Sequence, residues 1–161
     1  MSEIAHYERE FVERTRHILK KYRGEYKLSN AINCTLGLIV LPSETLSESH
    51  DPIWDVLVSD IQELSYLRIH TFEPIQKKKR GVPVYFPKTL RVMLKKIRNG
   101  IAHQKIQPVN INGMFTGIMI RNYFGEDPAN WDLDLEIEFD RAELENFAFF
   151  IAGKYLGHAY G

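Results

Sequence analysis

The hydrophobic period of this chain changes at His103, and that change limits the folds open to it. Before it, apolar residues recur at helical spacing. After it, "GIMIRNYF" (117–124) and "DLDLEIEF" (132–139) alternate with period two. A helical pattern does not settle as a strand, nor the reverse, so the chain must mix the two. The two strands are joined by "GEDPAN", a polar turn, and Asn112-Gly113 marks a further tight turn. In the second strand Leu133, Leu135, Ile137 and Phe139 point one way. Asp132, Asp134, Glu136 and Glu138 point the other, an acidic face for water or a basic partner. Asp140 with Glu143 then resembles a capping box and starts a last helix, which buries Leu144, Phe147, Ala148, Ile151 and Tyr155 and ends near Gly157. The expectation is an α+β chain, mainly α: a helical bundle with a β-hairpin inserted before the C-terminal helix.

The helices upstream follow from spacing and punctuation. Residues 7–23 set Tyr7, Phe11, Ile18, Leu19 and Tyr22 on one helical face, with Gly24 as the stop. The next helix is predicted from Ser29, as N-cap, to Leu41 before Pro42. Its interior "AINCTLGLIVL" is apolar nearly all round, which suits a central, buried position. Asp51-Pro52 reads as a cap and first helical residue, followed by Ile53, Leu57, Ile61 and Leu64 at helical spacing. Segment 68–86 gives no clear period and holds "QKKKRGVP", a basic loop or turn. Pro87 opens a helix whose core face is Leu90, Leu94, Ile97 and Ile101.

The 161 residues suffice for one domain spanning 1–161. A single cysteine, Cys34, excludes a disulfide framework and a cysteine-based metal site. The N-terminal "MSEIAHYERE" carries no signal-peptide core, and no apolar run is long enough to span a membrane, so a cytoplasmic protein with no membrane partner is expected. Net charge is zero, which argues against indiscriminate nucleic-acid binding but not against a local basic patch.

The densest chemistry lies in "LKKIRNGIAHQKI" (94–106). Arg98 and His103 are five apart, roughly 140° around a helix, so they do not share a face of a straight one. They converge only if the helix ends or loosens between them, which Gly100 permits, or if a second chain brings its own copy. On spacing alone the economical account is that Gly100 marks a frayed end and His103 is a cation favoured by the helix dipole. Arg91, Lys95 and Arg98 form a basic stripe leading to the histidine, and the basic run at 77–80, with Lys78, Lys79 and Arg80, can fold back toward it; both patterns also suit a solvated surface. His50-Asp51 resembles the His-Asp pair of metal phosphohydrolases, but no matching upstream His and downstream Asp stand out at helical spacing, and Asp51 is read as a cap. Trp54 and Trp131 are read as core. No phosphate-binding glycine loop is present. Neither a metal nor a cofactor is expected.

At "RNGIAH" the sequence resembles the HEPN superfamily, whose signature is an Arg, often a polar residue next, and a His with four to six residues between. Arg98, Asn99 and His103 match it. Arg14-Thr15 in "FVERTRHIL" and "GLIVLPSE" (37–44), a Gly-Leu-x-x-x-Pro-x-Glu ending, resemble a prokaryotic subgroup of HEPN nucleases, so the resemblance covers most of the chain. It implies a HEPN-like bundle and a metal-independent endoribonuclease acting in a toxin–antitoxin or defence setting. It further implies a homodimer whose two copies line one cleft, RNA as substrate, and an antitoxin or regulatory protein as possible partner. The alternative is a catalytically inactive HEPN module that binds RNA, a nucleotide or a protein. On the active reading Arg98 and His103 are catalytic, Asn99 supports them, and Arg91, Lys95, Lys105, Lys78, Lys79 and Arg80 contact phosphate. One departure stands out: HEPN toxins paired with nucleotidyltransferase antitoxins usually read His-x-Tyr, and here that position is Lys105.

Overall fold

The two periods resolve into the mixed architecture they predict. A computed structural model describes residues 7–46 and 49–157; the segment 1–6, part of the stretch read as carrying no signal peptide, lies outside it. The helices are α1 (Tyr7–Lys21), α2 (Lys27–Glu44), α3 (Leu90–Ala102) and α4 (Arg141–Leu156). The strands are β1 (Arg68–Phe72), β2 (Ile75–Lys79), β3 (Val82–Tyr85), β4 (Ile106–Ile111), β5 (Met114–Phe124) and β6 (Asp132–Asp140). The chain divides into two compact units, one holding residues up to Asp51 and from Arg141 onward, the other Pro52–Asp140. No described helix is long and apolar enough to cross a membrane.

The first unit packs α1, α2 and α4 on one another. α1 buries Val12 and Leu19, while Tyr7, Phe11 and Ile18, read as its core face, are exposed. Of the expected face, Leu19 is buried as predicted, and Val12, which was not assigned to it, is buried as well. α2 begins at Lys27, before Ser29, has Tyr26 at its N-cap with no side-chain cap bond, and carries Pro42 inside its last turn rather than stopping before it. It buries Ala31, Cys34, Thr35, Leu38, Ile39 and Pro42, and burial pushes the Cys34 thiol up. A Cβ at Gly37 would meet Phe11 Cε1 at 3.3 Å and Thr15 Cγ2 at 3.7 Å, so "RT" and "GL" meet where α1 crosses α2. α4 buries the five residues expected of it, and its Tyr155 hydroxyl bonds Thr45 Oγ1 at 2.7 Å.

The second unit is a four-stranded antiparallel sheet, order β1-β6-β5-β4, with α3 packed on it, and a separate β2–β3 hairpin. The β content is therefore larger than the one inserted hairpin expected. "QKKKRG" is strand and turn rather than loop: Arg80 (φ 49) and Gly81 (φ 80) both adopt the left-handed region, as a two-residue hairpin turn of that kind requires. Asn112 (φ 52) and Gly113 (φ 77) do the same between β4 and β5. The expected helix after Pro52 is three short 3-10 turns, Pro52–Asp55, Val58–Asp60 and Gln62–Leu64. Backbone bonds to the head of α3 hold them open, Val58 N–H to Lys88 O (3.0 Å) and Leu90 N–H to Val56 O (3.0 Å). α3 itself starts at Leu90, with Thr89 Oγ1 accepting from Val92 N–H, rather than at Pro87. Leu90, Met93, Leu94 and Ile97 face Ile118 and Ile120 of β5 and Leu135, Ile137 and Phe139 of β6 to form the core.

Candidate functional site

α3 ends in a way that follows from its sequence residue by residue. The helix runs unbroken through Gly100 to Ala102. His103 is the C-cap (φ −93°, ψ 13°), and its N–H bonds Asn99 O at 2.9 Å. Gln104 takes the left-handed conformation (φ 57), its N–H bonding Ile101 O at 3.0 Å, while Lys105 N–H reaches back to Gly100 O at 2.8 Å. That pair of bonds is a Schellman closure, here with glutamine at the position glycine usually takes. The end is tied, not frayed. Gly100 does not loosen the helix; it lets α3 approach β5. A Cβ there would come within 3.0 Å of Arg121 O, with Arg121 C and Ile120 Cγ2 at 3.1 Å.

Asn99 touches both members of the predicted pair. Its Oδ1 accepts from Arg98 Nη1 at 2.8 Å, and its backbone carbonyl accepts from His103 N–H. Arg98 is half-buried and His103 is exposed. A guanidinium presents its donors in a planar fork whose geometry suits a phosphate. An exposed imidazole at a helix C-terminus can exchange protons with solvent and substrate.

The other predicted cations fall in different surroundings. Arg91 is held by Asp55 through two bonds, 2.9 and 3.2 Å; hydrogen bonding to Arg91 holds the Asp55 carboxyl below its ordinary value, and the same bond raises Arg91. Lys95 lies over the Phe86 ring at 5.2 Å. Lys78 pairs with Asp132, and Lys79 and Arg80 are exposed at the β2–β3 tip.

The acidic face of β6 differs from expectation. Each carboxylate there meets a cation of this chain: Lys78 on Asp132, Lys96 on Asp134 at 2.7 Å, Arg121 on Glu136 at 2.5 Å and Arg68 on Glu138. Asp134 faces neither water nor an outside partner; it is fully buried. The reason is a β-bulge. Asn122 pairs with Leu135 and Tyr123 with Leu133, which leaves Asp134 opposite no residue and turns it inward. There it also accepts from Asn122 Nδ2 (2.6 Å) and Ile75 N–H (3.1 Å), and Lys96 donates to Ile75 O at 2.9 Å. His50 is exposed, and among the described residues no group of three or more His, Cys, Asp or Glu could hold a metal ion.

A cavity of about 470 Å³ opens beside the end of α3, lined by Gln104, Lys105, Gln107, Arg121, Tyr123 and Trp131. Trp131 is 36% exposed, not core; it stacks on Tyr123 (ring centres 5.4 Å, planes 29° apart), and Lys105 Nζ stands 4.5 Å from its ring centre. Of these only Lys105 was expected. Arg121 and Tyr123 carry a sequence signal, since two apart on one strand they share a face. Trp131, an aromatic closing a polar turn, carries another.

A family model described as HEPN pEK499 p136 matches residues 1–159. No curated protein and no solved structure matches the chain.

Proposed function

The chain belongs to the HEPN pEK499 p136 family, and from that premise we propose that it is a metal-independent endoribonuclease, working as a homodimer in a toxin–antitoxin or defence setting. The observation that carries this reading is Asn99, which orients Arg98 through its side chain and anchors His103 through its carbonyl. The two units are parts of one domain on this reading, since one family match spans both.

Cleavage without a metal needs a base to take the 2′-hydroxyl proton, an acid to protonate the 5′-oxygen as it leaves, and fixed positive charge over the phosphorus. The 2′-oxygen bonds to phosphorus, the bond to the 5′-oxygen breaks, and a 2′,3′-cyclic phosphate and a 5′-hydroxyl result. His103 serves as base or acid. Arg98 grips two phosphate oxygens, charge fixed in place before the transition state forms. Because α3 continues through Gly100, the roughly 140° between the two positions is closed by a second chain, whose Arg98 and His103 complete the cleft.

The test is cleavage of single-stranded RNA in EDTA by the wild type, His103→Ala and Arg98→Ala. Cyclic-phosphate ends from the wild type and none from the variants are expected. Equal cleavage by all three, or cleavage abolished by EDTA, would sink the reading. RNA bound by a folded wild type with no products would favour the inactive binding module.

A further inference from the structure

We propose that the cavity beside α3 is a nucleobase subsite: an unpaired nucleotide of the RNA next to the cleaved phosphate lays its base on Trp131 and gives its own phosphate to Lys105. This rests on the ribonuclease reading and adds to it what holds the strand. Three observations carry the assignment.

First, the cavity is next to His103 in the chain: Gln104, which follows it, lines the wall and is held in the left-handed region (φ 57). Strain of this kind persists only where the surroundings over-determine it. Second, its chemistry matches a nucleotide. Trp131 backed by Tyr123 offers an aromatic platform, Lys105 and Arg121 supply cations, and the Gln104 and Gln107 amides supply hydrogen bonds for base edges. The volume, about 470 Å³, lies within the range of small-molecule sites. Third, the charges are graded. Arg121 is engaged by Glu136 and by Gln107 Oε1, so it stays fixed as part of the wall. Lys105 is held by the face of an exposed tryptophan. A cation over an exposed ring is bound more weakly than a stacked base. The base therefore displaces the ammonium, and the displaced ammonium swings to the phosphate of the same nucleotide.

The test uses a six-nucleotide 2′-O-methyl RNA, which cannot be cleaved, titrated onto the full chain while tryptophan fluorescence is read. Trp54 is fully buried, so a quench reports Trp131. The wild type and His103→Ala should quench alike, Trp131→Phe should lose most of the signal, and Trp131→Ala should bind about 5- to 150-fold more weakly. An oligonucleotide with the same phosphates and no bases should bind without quenching. In Lys105→Ala the salt dependence should fall by about one phosphate contact. Absence of a quench in the wild type, wild-type affinity in Trp131→Ala, or a quench by the abasic strand would overturn the base site; an unchanged salt slope in Lys105→Ala would overturn the role given to that lysine. The two readings fail separately. A quench without RNA cleavage removes the nuclease and keeps the subsite. Cleavage with wild-type kcat/KM in Trp131→Ala removes the subsite and keeps the nuclease.

Discussion

Replacing Gly100 by alanine gives opposite signs on the two accounts of the "RNG" helix end. If glycine were there to loosen α3, alanine would stabilise the protein by about 1 kcal/mol through helix propensity alone. The observed packing reverses that. The new methyl would sit within 3.0 Å of the Arg121 carbonyl oxygen and 3.1 Å from Ile120 Cγ2. The obstacle is backbone, and β5 is bonded on both sides, to β4 and β6, so it cannot turn aside as a side chain could. Overpacking costs typically 1–3 kcal/mol, and a backbone neighbour places this site near the top of that range. Subtracting the propensity gain leaves a net loss of about 2 kcal/mol, or a Tm lower by about 4–8 °C for a chain of this size. Urea and thermal melts of wild type and Gly100→Ala, followed by circular dichroism, measure it. An unchanged or raised Tm would refute the close-packing account and restore the frayed end.

Four further outcomes follow from other parts of the second unit. Gln104→Gly should stabilise by about 1 kcal/mol, since glycine adopts the left-handed conformation without the penalty that glutamine bears; a loss of stability in the melt would contradict it. Lys96→Met leaves the fully buried Asp134 carboxylate without its cation and should cost about 3–5 kcal/mol, while Lys96→Met with Asp134→Leu should recover much of that, which a double-mutant cycle in urea resolves. Because the folded Asp55 carboxyl lies below its ordinary value, its ion pair with Arg91 supports the fold above about pH 3.9 and is lost as acid takes pH through the lower folded value; the pair is exposed, so Asp55→Asn should cost under about 1 kcal/mol at pH 7 and nothing in strong acid. Asn99→Ala removes the bond to Arg98 and leaves the backbone bond to His103, so RNA cleavage should fall by about tenfold or more with the fold intact; unchanged kcat/KM would remove Asn99 from the site.

Where the chain was legible, one physical signal dominated. β5, β6 and α4 have a single buried face each and read clearly. The exception within β6 is Asp134, because a bulge is a property of two strands' register, which no single strand displays. Residues 52–64 misled because Ile53, Leu57, Ile61 and Leu64 keep helical spacing, yet Leu57 is 42% exposed and backbone bonds to the start of α3 decide the conformation. The β2–β3 hairpin was hidden because only Ile75 of β2 is buried, so four exposed polar residues mask the period. Arg98 and His103 were singled out by their motif. The cavity beside them was not, since its walls come from the end of α3, the outer face of β5 and the turn before β6.

That difference bears on the choice between a nuclease and a silent module. Zero net charge and an acidic strand face are the sequence's two arguments for the silent module, which binds RNA, a nucleotide or a protein, over the nuclease. Both treat charge as if it were spread evenly. In space, four of the five carboxylates of β6, Asp132, Asp134, Glu136 and Glu138, are met by Lys78, Lys96, Arg121 and Arg68, each within one unit of this chain. Short pairs of this kind cancel beyond a Debye length, about 8–10 Å in physiological salt. A polyanion approaching α3 therefore meets no strong field from the acidic strand. Near the end of α3 it meets Arg98, bonded to Asn99, and Lys105 over a tryptophan. Association should accordingly weaken with added salt in proportion to the few phosphates these residues contact, not to the net charge of zero. A salt-independent affinity for RNA would show that this local accounting of charge is wrong.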